Sequence, residues 1–73
     1  MDRQALERHL LQVKTDLAVG NESIGRQRQL VADLEKSGQD SRAASELLRE
    51  AEASQALYAA EAARLAKELA ALS

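Results

Sequence analysis

Apolar residues recur along this chain in alternating steps of four and three. In the first half the spacing is kept by Leu6, Leu10, Val13, Leu17, Gly20, Ile24, Gln27, Val31 and Leu34. In the second half Ala44, Leu48, Ala51, Gln55, Tyr58, Ala62, Leu65, Leu69 and Leu72 keep it again. Alternating 4-3 spacing is the seam of a left-handed coiled coil, where two apolar positions per heptad face a partner helix. Each run holds its phase for about four heptads, longer than a typical globular helix.

Between the runs lies Lys36-Ser37-Gly38-Gln39-Asp40-Ser41. Gly38 suits the left-handed residue just past a helix end, and Lys36 places a cation beside the last exposed carbonyls. Asp40 or Ser41 can cap the next helix by accepting from its free N–H groups. Asp2 is placed to do the same at the start. These signals predict an all-α chain folded as one long antiparallel hairpin, with helix 1 over about 2–37, a turn at 38–40 and helix 2 over about 41–72.

Folding about residue 39 sets up a ladder. Leu34 faces Ala44, Val31 faces Leu48, Gln27 faces Ala51 and Ile24 faces Gln55. Gly20 then faces Tyr58, Leu17 faces Ala62, Val13 faces Leu65, Leu10 faces Leu69 and Leu6 faces Leu72. Tyr58 over Gly20 and Leu17 over Ala62 pair large with small, as packed layers do. On the flanks, Leu30 is expected to meet Leu47 and widen the core near the turn, Arg28 to reach Glu52, and His9 to reach Glu68. Asp16 beside Glu61 is a like-charge mismatch. Gly20 and Gly25 weaken helix 1 by roughly 1 kcal/mol each relative to Ala. A break there would make three helices, but the heptad phase continues through Gly20, which favours a continuous helix.

A second stripe follows 3-4 spacing on helix 2: Ala56, Ala59, Ala63, Ala66 and Ala70. Helix 1 offers Leu11, Ala18, Gly25 and Ala32, seven apart. Helices with two apolar stripes belong in bundles. The expectation is self-association through this face, most simply two hairpins in a twofold four-helix bundle. Leu11, Val19 and Leu57, large and off the main seam, lean the same way. Length agrees. A chain of 73 residues is marginal as an isolated core, and with no Cys it has no disulfide staple.

Composition narrows the chemistry. Hydrophobic residues make up 45%, much of it Ala, and Tyr58 is the sole aromatic. The net charge is −2 with both signs intermixed, so no basic field gathers nucleic acid. No run approaches the ~20 apolar residues of a membrane span, and Met1-Asp2-Arg3-Gln4 does not open a signal peptide. A cytoplasmic protein is expected. His9 is the only imidazole and reads as a surface residue. The carboxylates are scattered, with no Glu-x-x-His for a di-iron bundle. Gly20-x4-Gly25 is followed by Arg-Gln, unlike a phosphate loop. Arg26-Gln27-Arg28-Gln29 is a small basic cluster amid acids. Gln27 and Gln55 inside the seam read as polar residues that set register. The chain is therefore expected to be no enzyme, to carry no metal or cofactor and to bind no small-molecule substrate. Its expected partners are a second copy and another protein. The second reading is a small RNA- or regulator-binding bundle, by architectural analogy with the repressor-of-primer hairpin dimers.

The central segment, Ile24-x-Arg26-Gln27-Arg28-x-Leu30-Val31-x-x-Leu34-Glu35-x-x-Gly38-x-Asp40-Ser41-x-x-Ala44-x-x-Leu47-Leu48, resembles a group of small uncharacterised helical-hairpin proteins of rhizobia and related alphaproteobacteria. Gln55-x-Leu57-Tyr58 and Arg64-Leu65-x-x-Glu68-Leu69 are similar too, with Tyr58 where many of those proteins carry His. The resemblance covers roughly Gly20 to Leu69. It implies a bacterial, cytoplasmic hairpin and no catalytic residue.

Overall fold

A computed structural model of the chain describes residues 2–72. Two helices, α1 (Arg3–Lys36) and α2 (Arg42–Ala71), lie antiparallel against each other, and no strand occurs among the described residues. The molecule is a rod of 55 × 14 × 13 Å. Its length is that of α1 itself, since 34 residues at about 1.5 Å each span about 51 Å. Helix α1 runs through Gly20 and Gly25 without interruption.

Local chemistry explains the ends. Asp2 caps α1 by accepting from Gln4 N–H at 3.3 Å. At the turn, Gln39 N–H donates to Leu34 C=O at 2.9 Å and Gly38 N–H donates to Glu35 C=O at 3.2 Å. This crossed pair is the Schellman motif, which satisfies carbonyls the helix leaves open. It requires a left-handed residue at its centre, and Gly38 has φ +76°. The formal cap of α2 is Ser41, but its side chain makes no capping bond. Asp40 does the work instead. Its carboxylate accepts the Arg42 backbone N–H at 3.0 Å and the Arg42 guanidinium at 2.9 Å.

The core is thin and lopsided. Leu6, Val13, Ile24 and Leu65 are the buried apolar residues among those described. Three of them, Leu6, Val13 and Leu65, form one cluster with Leu10, Leu17, Ala62 and Leu69 packed around it. This buried region lies toward the chain ends. Toward the turn the seam is half-buried, through Val31, Leu34, Ala44 and Leu48.

Two expected layers differ. The space above Gly20 belongs to Gln55 and not to Tyr58, which remains 42% exposed. Gln55 Nε2 donates to Leu17 C=O and to Asn21 Oδ1, both at 2.9 Å. Only a residue without a Cβ lets that amide come so close to the α1 backbone. The phenol ring is left outside. Leu30 and Leu47 do not widen the core either: they are 51% and 61% exposed. Both sit on the flank of the seam, where a two-helix pair has no third element to cover them. Leu72 lies past the last turn of α2 and is 49% exposed.

Candidate interaction surfaces

A two-helix rod has one groove on either side of its seam, and each groove defines a face. One groove between the helices is lined by Asp16, Val19, Gly20, Ser23, Ala51, Ser54, Gln55 and Tyr58. The opposite groove is lined by Leu17, Asn21, Ile24, Arg28, Glu52, Gln55, Ala56 and Ala59. The heptad phase extends each face along the rod. Val19, Leu30, Leu47 and Leu57 fall on the Tyr58 side, called here the leucine face. Ala56, Ala59, Ala63, Ala66 and Ala70 fall on the other, called the alanine face, together with Leu11, Ala18, Gly25 and Ala32 from α1.

All nine of these alanine-face residues are exposed. The interhelical groove on that face is crossed by an ion pair, Arg28 to Glu52 at 2.9 Å. A Cβ at Gly25 would meet nothing within 4 Å. The leucine face carries most of the exposed bulk: Val19 is 61% exposed, Leu57 73% and Tyr58 42%. The first face is legible in the sequence as a stripe of small residues. The second was less legible, because Val19, Leu30, Leu47 and Leu57 are too far apart in sequence to form a stripe and gather only when α2 folds back.

The polar residues settle mostly within their own helices. Arg64 engages both Glu61 and Glu68. Its guanidinium holds the Glu61 carboxyl below the ordinary glutamate range, and His9 adds a smaller pull in the same direction. Glu68 is taken by Arg64, and no ion pair joins His9 to Glu68 among the described residues. The Asp16–Glu61 mismatch is relieved in the same way, since Asp16 accepts from Gln12 at 3.0 Å and Glu61 has Arg64. The Arg42 side chain, followed by its backbone N–H, holds Asp40 below the usual carboxylate range.

The basic cluster divides. Arg28 pairs with Glu52, Gln27 donates to Ser23 Oγ at 3.1 Å and Gln29 donates to Asp33 at 2.8 Å. Arg26 makes no ion pair among the described residues. The two seam glutamines also differ. Gln55 is satisfied across the helix pair, whereas Gln27 Oε1 is buried with no donor.

Among the described residues no three His, Asp or Glu side chains group closely enough to hold a metal ion. No described helix is long and apolar enough to cross a membrane. The chain matches no family model, no curated protein and no solved structure.

Proposed function

We propose that this chain is a structural protein-interaction module whose principal partner is a second copy of itself, the two hairpins forming a four-helix bundle. The observation that carries this reading is surface area. A monomeric globular protein of 7.9 kDa exposes about 4,400 Å². This hairpin exposes 5392 Å², an excess of about 1,000 Å² over that expectation. Two copies that each bury the excess form an interface of about 2,000 Å² in total, the size at which stable dimers occur. The exposed Leu11, Val19, Leu30, Leu47, Leu57 and Tyr58 supply apolar groups to fill it.

Sedimentation equilibrium from 1 to 100 μM tests the proposal. The expected mass is twice 7.9 kDa, and the thermal midpoint should rise with protein concentration, because association stabilises by mass action. A monomer mass throughout, with a cooperative melt independent of concentration, would overturn it.

A further inference from the structure

We infer that the second copy docks on the leucine face, with both turns at the same end of the bundle. This rests on the self-association proposed above and adds the face, the direction and the residues that select them. Exposed apolar residues mark the face. Leu30 and Leu47 lie near the turn; farther along, Tyr58 lines the groove, and Val19 and Leu57 lie on opposite outer edges. Between them the groove is lined by Gly20, Ser23, Ala51 and Ser54; its one charged lining residue, Asp16, lies past Val19, away from the turn. The area is also placed where it is needed, because the buried cluster of the hairpin lies at the other end of the rod.

Charge decides the direction. Arg26 lies on the outer edge of this face on α1, and Glu50 lies on the opposite edge on α2, at the same height along the rod. Neither makes an ion pair within the chain among the described residues, although Arg28, Arg42 and Arg64 all do. A twofold axis parallel to the rod sets α1 of each copy against α2 of the other at equal height. Arg26 then meets Glu50 of the second copy, twice, and Val19 meets Leu57 of the second copy, twice. A twofold axis across the rod would set α1 against α1 and leave both charges without those partners. The alanine face lacks this complementarity, since its central charges, Arg28 and Glu52, are already spent on each other.

The test uses full-length chains with single charge reversals. Arg26→Glu and Glu50→Arg should each weaken the homodimer about tenfold, because two exposed pairs become two repulsions. Mixed together, the two variants should recover a dimer of one chain each, since both contacts become Glu with Arg again. Leu57→Glu should weaken the dimer by about a hundredfold or more. Circular dichroism of each variant checks that the helices persist; all three residues are exposed. A spin label on Gln39→Cys reports direction, at about 20 Å between labels for turns at one end against about 45 Å for turns at opposite ends. A wild-type dimer that none of these substitutions weakens, or one showing the long distance, overturns this arrangement and leaves self-association standing. A wild-type monomer overturns both.

Discussion

Two glycines sit inside α1, and the structure predicts opposite responses when each becomes alanine. At Gly25 a Cβ enters open space. Gly25→Ala should therefore return the full helix-propensity gain, about 1 kcal/mol per chain. At Gly20 a Cβ would overlap the Gln55 Oε1 position and lie 2.9 Å from Nε2. The same backbone gain applies, but the Gln55 amide must leave. Its bonds to Leu17 C=O and Asn21 Oδ1 are lost, at about 1 kcal/mol net for each. Gly20→Ala should thus destabilise by about 1 kcal/mol, and the two substitutions should differ by about 2 kcal/mol. Urea unfolding followed by helical circular dichroism at one fixed protein concentration measures this. With a slope of about 1 kcal/mol per molar for so small a chain, the midpoints should separate by about 2 M. The control is Gln55→Ala. In that background the obstruction is gone, and Gly20→Ala should stabilise like Gly25→Ala, a coupling of about 2 kcal/mol in the cycle. Equal stabilisation at both glycines in both backgrounds would refute the placement of Gln55 above Gly20.

Three further outcomes are expected. Leu65 is fully buried at the centre of the core cluster, so Leu65→Ala should cost about 3 kcal/mol and abolish the cooperative transition in dilute solution. Gln27→Leu removes a buried carbonyl that lacks a donor and should raise stability by about 1 kcal/mol; a lower urea midpoint would mean that a bound water had satisfied that oxygen. Asp40 and Glu61 are both held below their ordinary ranges by neighbouring arginines. Their contribution is present above their unfolded-state pKa values and is lost as pH falls through the lower folded ones, so the urea midpoint should be flat from pH 7 to 5 and fall below about pH 4. Asp40→Asn with Glu61→Gln should flatten part of that fall.

Much of this protein was legible residue by residue because its signals are local. Heptad spacing specifies which stripe of each helix seeks a partner. Gly38 marks the left-handed turn because a residue with a Cβ is strained there, and Asp2 and Asp40 mark the starts because a carboxylate satisfies free N–H groups. Arg28 reaching Glu52 follows from the same register. The exposure of Leu30 and Leu47 and the choice of Gln55 over Tyr58 above Gly20 do not follow from spacing. Each is a competition among side chains from different turns or different helices, decided by which reaches a given space first. The sequence by itself determined two helices, their seam and the turn, since periodicity and capping act within a few residues. Only the tertiary structure decided that most of the bulk left over from the seam, Leu11 apart, flanks one groove, since that grouping exists only once α2 lies against α1.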